Sequence, residues 1–277
     1  PQLVAGPIIR ASDFLPQLKT EPKLDRAMVA NGIVLILLGL FKKMVIANYL
    51  ANELVDGVFF DPSAYSGPDL LLALYGYAVQ IYCDFSGYSD IAIGVAGLLG
   101  YHFKPNFMQP YRAGSLREFW QRWHISLSSW LRDYLYKPLG GSHHGTAQTY
   151  RNLLITMLLG GLWHGAGWTY VAWGALHGVF LMVNHGWLEL RKALGQDLSR
   201  STRAGRIAGR LLTLLAVLMA WVFFRASDLE SAIRILKGMC GLNGLSIPIA
   251  VAGALGPLMP VFEWLGGHTI MGGGAQF

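Results

Sequence analysis

One histidine is the first candidate for chemistry in this sequence. His164 lies in Gly160-Gly161-Leu162-Trp163-His164-Gly165-Ala166-Gly167, inside a run from Asn152 to Leu188 with no Asp, Glu, Lys or Arg. A charged side chain at the centre of a bilayer costs ~2.5–3.5 kcal/mol even on the lenient insertion scale, so an ionisable group here needs a reason. Glycines on both sides let backbone or a ligand approach closely, and broken helices at membrane depth are tolerated only against protein or a cavity. These features predict that His164 lines a polar tunnel. A neutral imidazole hydrogen-bonded between helices would also satisfy them. Imidazole, with an unperturbed pKa near ~6.5, suits a general base that takes the proton of an attacking hydroxyl, which typically contributes ~10²–10⁴-fold.

His124 follows the capping box Ser115-Leu116-Arg117-Glu118, with Ser at the N-cap and Glu at the third helical position. The spacing predicts a helix over Leu116–Tyr136. At 100° per residue, Leu116, Phe119, Trp120, Trp123, Leu127, Trp130, Leu131 and Tyr134 form one broad apolar face, with Arg117, Glu118, Gln121, Arg122, Ser128 and Arg132 opposite. Such a helix rests at the membrane interface or lines a wet cavity, with His124 at the border of its two faces. His177, Asn184 and His185 share one helical face and suit interhelical hydrogen bonding. Asp84 and Asp90 flank Phe85-Ser86-Gly87-Tyr88-Ser89; Ser86 and Asp90 share a face and could bind a substrate hydroxyl, or the acids could pair with an arginine of the amphipathic helix. His143-His144, in a Gly-rich loop, reads as solvent-facing. No metal site is expected, and there is no G-x-S-x-G elbow, H-E-x-x-H or P-loop. Cys83 and Cys240 form no C-x-x-C, which argues against a disulfide framework or zinc site.

The elements that must position these residues are apolar helices. Of 277 residues, 53% are hydrophobic and 14% charged, against about 25% charged in soluble domains. That excludes a disordered chain and argues against a soluble enzyme. A spanning helix needs roughly 20 apolar residues. Ala27–Leu50 predicts one long helix carrying Lys42-Lys43, and Leu70–Gly100 another that is apolar except for Asp84 and Asp90. Asn152–Leu188 is too long for one straight span and predicts two, joined around Gly160-Gly161 and Gly165–Gly167. Leu211–Phe224 and Gly238–Phe262 predict two more. The net charge of +6 comes from loops: Tyr101–Arg151 and Arg191–Arg210 are basic, whereas Gly57–Asp69 has no Lys or Arg. The positive-inside rule places the first two in the cytoplasm and the third outside, so the basic balance needs no nucleic-acid partner. The predicted fold is an all-α, polytopic transmembrane bundle with broken and interfacial helices around a central tunnel, as a single membrane domain over residues 1–277. The chain opens at Pro1 without an initiator Met, which predicts missing N-terminal spans.

Three stretches carry a resemblance. Pro110 to Gly141, with Arg122-Trp123-His124-Ile125-Ser126 at its centre, strongly resembles the membrane-bound O-acyltransferase (MBOAT) family. So do Asp84 to Gly94 and Met157 to Ala166, the latter with Leu162-Trp163-His164-Gly165. Within the family the similarity is to the membrane subunit of bacterial alginate O-acetyltransferases, as is that of the opening Pro1 to Pro7, and it covers most of residues 1–245. Cys83 stands where that branch often has Phe, and Gln121 where it often has Arg; Gly266–Phe277 is unfamiliar. The resemblance implies that His164 and His124 are the family's two marker histidines, His164 as proton acceptor and His124 orienting the donor thioester. Asp84, Asp90, Arg122 and Trp163 become supporting candidates. It implies an inner-membrane, multi-pass O-acetyltransferase with no tightly bound cofactor, using acetyl-CoA or another acyl thioester as donor. Its partners would be membrane lipids, an exported polysaccharide, most of all alginate, and periplasmic relay or transferase proteins. Rival expectations are D-alanyl transfer, acetylation of cellulose, and transport of an acyl carrier or glycan without chemistry.

Overall fold

The computed structural model describes residues 6–22, 24–197, 202–242, 245–248, 256–264 and 267–270. A short helix α1 (Ala11–Leu18) leads to the long helix α2 (Arg26–Phe60), which starts where the Asp25 carboxylate accepts the Met28 N–H at 2.7 Å. Helix α3 (Gly67–Leu98) starts at a capping box made by Ser66 and Asp69. The helices α2 and α3 run antiparallel in close contact: Gly32 faces Gly94, Gly39 faces Gly87 and Leu54 faces Gly76. A Cβ on Gly39 would stand 2.5 Å from the Gly87 carbonyl oxygen, so only glycine permits this crossing.

The amphipathic segment forms two helices rather than one, α4 (Leu116–Arg122) and α5 (Ile125–Leu131), the latter continued by a π-helical turn over Arg132–Tyr136. Two further helices, α6 (Thr146–His164) and α7 (Trp168–Ala193), make an antiparallel hairpin broken at Gly165–Gly167. Gly160 and Gly161 lie inside α6, not in the break. Gly161 meets the Tyr170 carbonyl and Gly174 that of Met157, so here the glycines set the distance between the two arms of the hairpin. Helices α8 (Arg203–Arg225) and α9 (Leu229–Lys237) follow, capped by Thr202 and Asp228. A two-stranded parallel ladder, β1 (Leu245–Pro248) with β2 (Gly267–Ile270), and a short α10 (Met259–Trp264) complete the described chain.

The core joins the ends of several helices. Val55 and Phe59 of α2, Leu70, Leu74 and Tyr77 of α3, Phe119 and Trp123 around α4, Trp173 of α7, Val217 and Trp221 of α8, and Ile235 of α9 form one buried cluster. Elsewhere the apolar side chains face outward: Ile33, Val34, Leu37 and Met44 on α2, and Leu211, Leu212 and Leu215 on α8. Soluble monomers rarely expose such contiguous apolar surface, and α2 and α8 are long and apolar enough to cross a membrane.

Several expectations are corrected. The predicted exterior loop Gly57–Asp69 shrinks to residues 61–66, because α2 runs on to Phe60 and α3 begins at Gly67. The predicted span Gly238–Phe262 is not a continuous helix: Gly241 sits at φ 85°, and β1 follows. Its residues 243–244 and 249–255 lie outside the described set. Pro248, Pro257 and Pro260 each remove a backbone donor that such a helix would need. The architecture is helical, as expected, with a short two-stranded ladder of four paired positions beside the helices.

Candidate active site

The break between α4 and α5 is where the site begins. His124 adopts the left-handed conformation, φ 42° and ψ 57°, which costs a non-glycine residue roughly 1–2 kcal/mol. The surroundings enforce it. The Met108 N–H donates to the Arg122 carbonyl and the Ile125 N–H to the Asn106 carbonyl, each at 2.9 Å. Residues 106–108 thus take up backbone groups that a continuous helix would have paired internally. His124 is accordingly buried, 3% exposed, and does not stand at a border between wall and water. Phe85 meets its ring edge-on at 4.6 Å between centroids, and Phe107 stacks at 6.5 Å.

His124 is tied to a buried polar network. Its Nδ1 lies 3.3 Å from Oδ1 of Asn106. That oxygen also accepts the Ser126 N–H at 3.0 Å and the Ser126 hydroxyl at 2.9 Å. The Asn106 amide donates to Ser89 Oγ on α3 at 3.2 Å, and the Ile8 N–H donates to Ser126 Oγ at 2.9 Å. The N-terminal segment is held on the same helix by Arg10, which pairs with Asp133 at 2.6 Å. Arg132, Lys137 and Arg10 together hold the Asp133 carboxyl well below the usual carboxylate range.

His164 is the last residue of α6, at the hairpin break. Its walls are aromatic: Trp163 at 5.0 Å, Phe224 at 5.0 Å, Trp173 at 5.1 Å and Tyr170 at 6.5 Å. Trp163 also lies 6.2 Å from His124, so one indole stands against both histidines. The structure therefore gathers His124, Trp163 and His164, three of the six residues singled out in the sequence.

The other three sit elsewhere. Asp90 pairs with Lys42 at 2.6 Å, and Asp84 pairs with Lys43. Both acids thus meet the lysines of α2 and not an arginine of the amphipathic helix. The lysines lie in a π-helical stretch, Phe41–Ala47, and such wide turns commonly mark places where a helix adjusts to a local demand. Arg122 pairs with Glu118 at 2.7 Å and donates to the Met108 carbonyl at 3.2 Å. It faces a cavity of about 650 Å³, shared with Arg112, Arg191, Arg206 and Arg210. A second cavity of about 470 Å³ lies between α4–α5 and the hairpin, lined among others by Arg117, Gln121, Arg132, Asn184 and His185. The polar face of the amphipathic segment therefore lines a cavity. His177 is fully buried, and its Nδ1 accepts the Trp120 Nε1–H at 3.3 Å. His143 and His144 are exposed.

Asn106, Ser126, Trp173 and Phe224 are site residues that sequence reasoning missed. Asn106 stands alone between Pro105 and Phe107, with no pattern to mark it. The pairing of the two lysines with the two acids did have a signal, since both pairs of charges interrupt otherwise apolar runs.

Comparison with known proteins agrees with the motifs. The model of the MBOAT, membrane-bound O-acyltransferase family, matches residues 1–227. The chain is 41% identical over 249 residues to a peptidoglycan O-acetyltransferase of Helicobacter pylori, covering 89% of this chain and 46% of that one. It is 46% identical over 248 residues to a probable alginate O-acetylase AlgI of Pseudomonas fluorescens, covering 89% and 48%. To a teichoic acid D-alanyltransferase of Streptococcus thermophilus it is 28% identical over 250 residues, covering 81% and 59%. The chain spans about half the length of the first two. With the family model matching residues 1–227, most of its length, the chain belongs to the membrane-bound O-acyltransferase family and is an integral membrane protein.

Proposed function

We propose that this chain is the acyl-transferring part of a multi-pass inner-membrane O-acetyltransferase acting on an exported polysaccharide, alginate in the first place. The observation that carries the reading is the placement of His124 and His164 against Trp163, one buried at a helix break and the other half-buried at the end of α6. The donor is acetyl-CoA or another acyl thioester. His164 takes the proton of the attacking hydroxyl, whether on the polymer or on a periplasmic relay protein. The hydroxyl oxygen bonds to the acyl carbon, the carbon–sulfur bond breaks, and the proton leaves with the thiolate as a free thiol. His124 orients the donor. The arginine-lined cavity suits an anionic donor arriving on the basic, cytoplasmic side. Lipids cover the outward apolar faces of α2 and α8.

The relatives support O-acetyl transfer but name two acceptors at similar identity. A peptidoglycan acceptor is therefore the second reading, favoured by the Helicobacter pylori relative. The D-alanyl reading has weaker support, at 28% identity. The O-acetyl content of secreted alginate and of peptidoglycan, in cells with and without the gene, tests the choice. Loss of acetyl from the alginate alone is expected. Loss confined to peptidoglycan would replace the first reading with the second, and no loss from either would overturn both.

A further inference from the structure

Asn106 has no part in the transfer described above, yet it is 1% exposed and, among the described residues, makes the one hydrogen bond that reaches the His124 ring from across the chain. Its amide orientation follows from chemistry. The Ser126 backbone N–H, which can only donate, lies 3.0 Å from Oδ1, so the atom there must be the oxygen and the NH₂ must face Ser89. The Ser126 hydroxyl has one proton, directed to the same oxygen at 2.9 Å, while its lone pair receives the Ile8 N–H. Oδ1 therefore has no proton to give. The group 3.3 Å away, His124 Nδ1, satisfies it only by donating. Were Nδ1 bare, two lone pairs would face each other in a buried site, and the Ser126 hydroxyl could relieve this only by exchanging its 2.9 Å bond to Oδ1 for a 3.4 Å one to Nδ1. Phe85 and Phe107 hold the ring plane in which this bond is made.

We infer that Asn106 is a positioning residue that fixes His124 as its Nδ1–H tautomer and leaves Nε2 as a bare acceptor. This deepens the proposed function. Through Nε2, neutral His124 can accept an N–H or O–H proton from a bound molecule, but it cannot donate to a thioester carbonyl. Its orienting role is then exerted on a proton-bearing group of the donor or acceptor molecule.

Full-length protein labelled with ¹⁵N-histidine in lipid bilayers tests this without relying on activity. The resonance pair missing from a His124→Gln sample identifies the residue. The wild type should show a protonated Nδ1 and a bare Nε2, and Asn106→Leu should move proton density to Nε2. In acetyl transfer, Asn106→Leu should lower kcat by at least roughly tenfold with little change in KM. Asn106→Asp keeps an acceptor, so Nδ1 should stay protonated. Its carboxylate favours the imidazolium, so the acid limb of the rate profile should move to higher pH. A proton on Nε2 in the wild type, or an unchanged tautomer in Asn106→Leu, would overturn the inference. If Asn106→Leu does not accumulate, the Asn106→Asp protein decides, and a bare Nδ1 there, at any pH, would overturn it equally. A tautomer that moves with no change in kcat would uphold the role of Asn106 and overturn that of His124 in transfer.

Discussion

Trp123 and Trp130 lie on what helical periodicity makes a single apolar face, but their surroundings differ. Trp123 is 4% exposed, stacks on Phe119 at 5.7 Å and meets Trp221 of α8 at 5.0 Å. Trp130 is 41% exposed and touches Tyr134. Trp123→Ala should therefore cost ~3–5 kcal/mol, and Trp130→Ala within about 0.5 kcal/mol of nothing. Thermal unfolding in detergent measures both, and equal losses would contradict the packing described. The difference was not legible in the sequence, because the helix is broken at His124 by residues 106–108 and no glycine or proline announces the break. His164 was legible, since an ionisable side chain in a charge-free run is visible without coordinates. The Ser115 cap was legible for a similar local reason: the Glu118 N–H does donate to Ser115 Oγ at 3.1 Å. Asn106 was not, because its importance comes from what lies across the chain from it.

Among the elements, the N-terminal segment is fastened to the amphipathic pair by Arg10 and Asp133, 123 residues apart. The Asp133 carboxyl is held below the usual range by Arg132, Lys137 and Arg10. A carboxyl depressed on folding contributes stability that is complete above the unfolded value of about 4 and is lost only as pH falls through the folded value. Backbone amides of Ala11–Leu18 should accordingly exchange hydrogen as slowly, after correction for intrinsic rate, at pH 4.5 as at pH 7. In Asp133→Asn they should exchange several-fold faster at both. Loss of protection in the wild type at pH 4.5, or an unaltered Asp133→Asn protein, would contradict this fastening. The hairpin α6–α7 was legible from its length and glycines. Gly238–Phe262 misled because hydropathy alone counts Gly241, Pro248, Pro257 and Pro260 as tolerable, whereas backbone geometry does not. The π-helical stretch Phe41–Ala47 of α2 had no local signature beyond its two lysines.

At the scale of the whole molecule, the helices place Ser63 at one end of the bundle, and Ser142 and Gln196 at the other. Asp56 and Arg225, paired at 2.7 Å, mark the first end, and the starts of α6 and α8 mark the second. The charge asymmetry that predicts an orientation is visible in the sequence alone; the inner packing that gathers the histidines was not legible, since it depends on contacts between α3, α5 and α6. Single cysteines introduced at Ser142 and Gln196 in a background lacking Cys83 and Cys240 should be shielded from an impermeant thiol reagent outside intact spheroplasts, and one at Ser63 should label. Opposite labelling of Ser142 and Gln196 would mean that the α6–α7 hairpin does not return the chain to its starting side. The central claim, that this membrane bundle transfers an acyl group at His164, is tested most directly by the O-acetyl content of the exported polymer in cells carrying His164→Ala, with membrane levels of the protein measured in parallel. The account predicts a fall of at least roughly 10²-fold at an unchanged protein level; acetylation at the wild-type level would contradict it.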